Sequence, residues 1–144
     1  MQQEGKTAVL VSADSKVIGA IGLLDMAKQG AKEAVAARKS PGIEPVMLTG
    51  DNKRTAEEIA RMVWIERVFA GVLLSGKVDI VKKIQLQEGK KVVAMVGEGI
   101  NYAPALSAAD VGIAIGSGTD LAVEAENVVL VRDNVRDVVS AIET

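Results

Sequence analysis

Four short segments place glycine beside a hydroxyl, a carboxylate or a lysine at the end of an apolar run. In Leu48-Thr49-Gly50-Asp51-Asn52, the Thr49 hydroxyl and the amides of a following helix start can hold a phosphoryl group. Gly50 lets a ligand approach the backbone, and Asp51 can orient a cation. Taken alone, the segment reads more simply as a helix cap by Asp51 or Asn52. In Val96-Gly97-Glu98-Gly99-Ile100-Asn101-Tyr102-Ala103-Pro104, two glycines flank a carboxylate at a strand tip, the usual means of holding magnesium beside a phosphate. A glycine-rich turn capped by Asn101 fits that spacing equally well. In Leu74-Ser75-Gly76-Lys77, a lysine near a helix start opposes the helix dipole, so it either neutralises an anion or is a solvated surface cation. Gly116-Ser117-Gly118-Thr119-Asp120 is either a ligand loop or a plain helix start.

Composition narrows the chemistry. The 144 residues contain no Cys and no His, and their aromatics are Trp64, Phe69 and Tyr102. Disulfides, thiolate metal clusters and a cysteine nucleophile are excluded, as is the imidazole general base. Any metal held by such a chain is hard and oxygen-ligated, with magnesium the first candidate. A net charge of −2 gives no basic footprint for nucleic acid. The apolar runs are too short to span a bilayer, and the polar start Met1–Lys6 is not a signal peptide, which predicts a soluble, cytoplasmic chain without direct membrane insertion.

The elements that must carry these loops alternate strand and helix. Thr7–Ser12 and Val17–Leu23 read as an antiparallel hairpin around residues 13–16. Helices are predicted over Met26–Lys39, Asn52–Val63, Lys77–Gln87, Ala103–Ala108, Asp120–Ala125 and Val135–Ile142, the last capped by Asp133 or Asn134. Strands are predicted over Pro45–Leu48, Arg67–Ala70, Lys91–Val96, Val111–Ile115 and Val128–Val131. Lys91–Val96 is so continuously apolar that it reads as a buried parallel strand. Repeated β-α units of this spacing predict an α/β fold, one 1–144 domain with a parallel sheet between helix layers. Ligands of such sheets gather at the carboxyl ends of the strands, where the four loops fall.

In order, these segments resemble the phosphorylation domain of P-type ATPases, within the haloacid-dehalogenase-like superfamily. Val46–Ala56 resembles the family's Thr-Gly-Asp segment, and Met95–Leu106 its Gly-Asp-Gly-x-Asn-Asp-x-Pro-Ala-Leu motif. Val111–Asp120 with Glu124-Ala125, and the opening Glu4–Val9, are similar to the copper-exporting branch. The resemblance implies a three-layer αβα, Rossmann-like fold with an N-terminal β-hairpin. It implies ATP hydrolysis through an aspartyl-phosphate, coupled to metal export. By position, Thr49, Gly50, Asp51 and Lys77 would be catalytic and bind phosphate or nucleotide, joined by Gly97, Gly99 and Asn101. Glu98 stands at a magnesium-ligating aspartate. Implied cofactors are Mg2+, and ATP where a nucleotide-binding domain is present. Implied partners are the nucleotide-binding, actuator and membrane domains of a pump, or a second copy of the chain.

Three departures accompany the resemblance. The nucleophile string Asp-Lys-Thr-Gly-Thr does not occur, and Asp14-Ser15-Lys16 in the hairpin is its nearest look-alike. Glu98 is one methylene longer than aspartate, and Tyr102 occupies the motif's second aspartate position. The expectation is therefore a fragment or remnant of the domain that forms no phosphoenzyme alone and binds magnesium weakly. A regulatory phosphate- or magnesium-binding module docking on a partner, and a small phosphatase, are the alternatives. The family's nucleophile strand lies between those leading to Thr49 and Glu98, so a gap is expected there.

Overall fold

The computed structural model describes residues 7–23, 26–39, 42–87, 91–98, 102–116, 128–130, 132 and 134–143. The chain opens with β1 (Thr7–Ala13) and β2 (Lys16–Leu23), antiparallel with Thr7 opposite Leu23. Asp14 and Ser15 turn the hairpin at φ 48° and 63°, both left-handed, as a two-residue turn matched to strand twist requires.

Helix α1 (Ala31–Lys39) starts five residues later than the apolar spacing predicts. Gly30 adopts φ 83°, and the Ala31 amide closes a turn on the Lys28 carbonyl at 3.1 Å, so residues 26–30 lead into the helix instead of continuing it. Strand β3 (Val46–Leu48), helix α2 (Lys53–Met62), strand β4 (Arg67–Phe69) and helix α3 (Leu74–Leu86) follow. Next come β5 (Ala94–Gly97), α4 (Ala103–Ala108) with proline in its first turn, and β6 (Val111–Ile115). Strand β7 (Val128–Leu130) and helix α5 (Val135–Glu143) complete the order. The Asn134 side chain accepts from the Arg136 amide at 3.0 Å and so opens α5. The helix predicted over 120–125 and the alternative cap Asp133 lie outside the described residues.

The fold is α/β with parallel strands and an N-terminal antiparallel hairpin. The parallel ladders form two blocks: β3 pairs with β4, and β5, β6 and β7 form a second sheet in that order. Side chains of β6 alternate between two helix layers. Ile113 and Ile115 pack with Val138 of α5, while Gly112 approaches the Leu106 carbonyl of α4. The second core joins Val81 of α3, Met95 of β5, and Ala105 and Leu106 of α4, with Leu48 of β3 packed against it.

Strand β5 differs from the buried strand its composition predicts. Met95 is buried, but Ala94 and Val96 are exposed. Ala94 and Val96 share one face of the strand, and that face is open. Among the described residues β5 has β6 on one edge and no ladder to β3 on the other, although Leu48 of β3 touches the same core. Between the strands leading to Thr49 and Glu98, where a gap is expected, no strand is paired among the described residues.

Candidate functional site

Strand β3 delivers the first loop. The Thr49 amide donates to the Phe69 carbonyl at 2.9 Å, carrying the β3–β4 pairing one residue past the strand. The chain after β4 then straps the loop down. The Val72 amide donates to the Thr49 carbonyl at 3.0 Å, and the Gly71 amide to the Asp51 carbonyl at 2.7 Å. Gly71 makes this turn at φ 66°, a left-handed conformation that favours glycine. Within the loop, Thr49 Oγ1 donates to Asp51 Oδ2 at 2.7 Å and accepts from the Asp51 amide at 3.1 Å. Asn52, not Asp51, caps α2: its Oδ1 accepts from the Thr55 amide at 3.0 Å.

Lys77 sits in the first turn of α3, three residues further into a helix than its spacing predicts, because α3 already starts at Leu74. It is not a solvated surface lysine. The residue is 3% exposed, and its Nζ lies 3.9 Å from the centroid of the Tyr102 ring. Tyr102 opens α4, and its ring lies against Gly97: a Cβ at Gly97 would meet Tyr102 Cβ and Cγ at 3.1 Å. Glycine at 97 is therefore demanded by the ring packed on it. Residues 71–72, bonded to Asp51 and Thr49, run directly into α3, whose Lys77 meets the Tyr102 ring packed on Gly97.

Glu98, at the tip of β5, pairs instead with Lys28, whose Nζ lies 2.7 Å from Glu98 Oε2. That partner comes from 70 residues away, before α1, and no local pattern announces it. The described residues do not fit a magnesium site: among them no group of three carboxylate, histidine or cysteine side chains converges. The Glu98 carboxylate is paired with Lys28, and Tyr102 supplies a ring. Gly99, Asn101 and residues 117–120 lie outside the described residues.

An open groove of about 580 Å³ is lined by Lys39, Glu57, Arg61, Trp64 and Glu66. None of these residues belongs to the loops above. Lys39 is taken by Glu66 at 2.7 Å, so the groove presents no free charge for a ligand from that pair.

A sequence model of haloacid dehalogenase-like hydrolases matches residues 1–110. Over 143 residues the chain is 50% identical to a cation-transporting ATPase, HMA5, of Oryza sativa subsp. japonica, covering 99% of this chain and 14% of that protein. Over 142 residues it is 53% identical to copper-transporting ATPase 1 of Mus musculus, covering 99% of this chain and 9% of that protein. A crystal structure of a zinc-transporting PIB-type ATPase superposes with a TM-score of 0.80 at 41% identity, over 96% of this chain and 22% of that one. The chain thus spans under a quarter of the length of each of these relatives. No helix among the described residues is long and apolar enough to cross a membrane. Ordered loops, sheet topology and matched sequence agree: the chain belongs to the haloacid dehalogenase-like hydrolase family.

Proposed function

We propose that the chain is the phosphorylation-domain portion of a copper-transporting P-type ATPase, and that its loops hold the phosphoryl group during ATP hydrolysis. The observation that carries this reading is that residues 71–72, bonded to the Thr49–Asp51 loop, lead directly into α3 and its buried Lys77, in segments matched in order to such pumps. In that reaction an aspartate carboxylate attacks the γ-phosphorus, ADP leaves, and water later cleaves the aspartyl-phosphate. Thr49 and the 49–52 backbone would hold phosphoryl oxygens, and Lys77 would neutralise their charge. Gly50 supports this role. Its φ is not left-handed, and an added Cβ would meet only the Val72 carbonyl at 3.6 Å, an ordinary contact. Neither backbone nor packing demands glycine there, whereas close approach of a ligand does.

The same reading assigns the nucleophile to a strand outside this sequence, since Asp-Lys-Thr-Gly-Thr does not occur in it. The edge of β5 that carries no ladder among the described residues supports that assignment. The cytoplasmic side of a membrane, with nucleotide-binding, actuator and membrane domains as partners, belongs to the same proposal. Incubating the chain with radiolabelled ATP and magnesium should leave it unlabelled after acid quench. An acid-stable phosphoprotein, lost on Asp14→Asn or Asp51→Asn, would instead establish the small-phosphatase alternative.

A further inference from the structure

We propose that Tyr102 is an aromatic cap on Lys77, and that its ring takes the place of a counter-anion and holds oxyanions off the ammonium group. The proposal rests on the phosphoryl-site reading above and adds a control on that site.

A buried lysine normally needs an opposite charge or full hydrogen bonding. Lys77 is 3% exposed, yet among the described residues it forms no ion pair. What meets its ammonium is the face of Tyr102, with Nζ 3.9 Å from the ring centroid. That distance lies well inside the range of about 6 Å over which a ring quadrupole attracts a cation, and desolvation strengthens the attraction. The ring is held there from behind. Gly97 leaves the space it fills, with only about 3.1 Å to where a Cβ would stand, and the first turn of α4 fixes its backbone. Tyr102 is therefore seated between the Gly97 backbone and the Lys77 ammonium.

The consequence is competition. A phosphate oxygen that binds Nζ must displace a ring whose rear space is already closed by the chain. Carboxylate at this position would repel the phosphate by charge but leave the ammonium sterically open. Tyrosine adds no charge and covers the cation.

The test uses the whole chain and inorganic phosphate. In the wild type, the ring current of Tyr102 shifts the Lys77 Hε NMR signals upfield, and phosphate binds weakly. In Tyr102→Leu the signals return to ordinary lysine values and phosphate binds about tenfold tighter. The gain disappears in the double variant with Lys77→Met, whereas Tyr102→Phe, which keeps the ring, behaves as wild type. Ordinary Hε shifts in the wild type would overturn the cap, and this holds even if Tyr102→Leu fails to fold. Unchanged phosphate affinity in a folded Tyr102→Leu, with wild-type binding still abolished by Lys77→Met, would overturn the cap and leave the phosphoryl-site reading intact. An upfield Lys77 signal with no phosphate binding in any variant would overturn the phosphoryl-site reading, and with it the exclusion.

Discussion

Glu98 and Asp110 are both exposed carboxylates near β5, and they do different work. Glu98 answers Lys28 across 70 residues, an exposed pair of the kind that contributes about 0–1 kcal/mol. Asp110 is a structural acceptor. Its Oδ2 takes the Val93 amide at 2.8 Å and the Gln85 side-chain amide at 3.0 Å, tying the approach to β5 and the end of α3 to the start of β6. The Val93 amide first, and Gln85 second, hold the Asp110 carboxyl below the usual carboxylate range. Its contribution to stability is therefore complete above the unfolded value of about 3.9 and lost as pH falls through the lower folded value. Denaturant melts between pH 2 and pH 6 should show wild-type stability falling below about pH 4 more steeply than that of Asp110→Asn. Parallel curves would mean that the two hydrogen bonds do not discriminate between protonation states. Glu66, lowered by its hydrogen bond and charge contact with Lys39, titrates in the same direction in both proteins and cancels in the comparison. At the site itself, the residue types were legible from sequence. Their partners were not, because Lys28 reaches Glu98, and Tyr102 reaches Lys77, only through the fold.

Between elements, β6 packs closely against α4. A Cβ at Gly112 would lie 2.8 Å from the Leu106 carbonyl oxygen and 3.2 Å from its carbon, and a backbone carbonyl cannot step aside as a side chain can. Gly112→Ala should cost about 1–3 kcal/mol, the scale of overpacking in a filled core. Leu106, 0% exposed at the same joint, tests the opposite error. Leu106→Ala should cost about 2–5 kcal/mol through lost burial and a cavity. Calorimetry should show a lower melting temperature for both; an unchanged value for Gly112→Ala would mean that α4 slides freely on the sheet. Most elements could be read from spacing because apolar periodicity and glycine stops agree with the fold. Two could not. Helix α1 starts late because Gly30 takes a left-handed turn, and α3 starts early because Leu74, Ser75 and Gly76 join it although Leu73 offers no capping side chain. Propensity at a helix end is weak, and tertiary packing decides it.

At the scale of the whole molecule, the described parallel strands fall into two sheets that share one core through Leu48 and Met95. An exposed edge with alternate faces open is what β5 shows where composition predicts burial on both sides. The hairpin has a similar character: Leu10, Val17, Ile18 and Ile21 are each more than half exposed, on a ribbon that is only two strands wide. The proposed function requires three loops from separate segments to form one phosphoryl-binding surface. Amide chemical-shift mapping of the chain during titration with inorganic phosphate tests it most directly. The predicted result is weak, saturable shifts confined to residues 48–52, 71–77 and 96–98. Absent shifts, or shifts centred elsewhere, such as on α5 or the Trp64 groove, would contradict it.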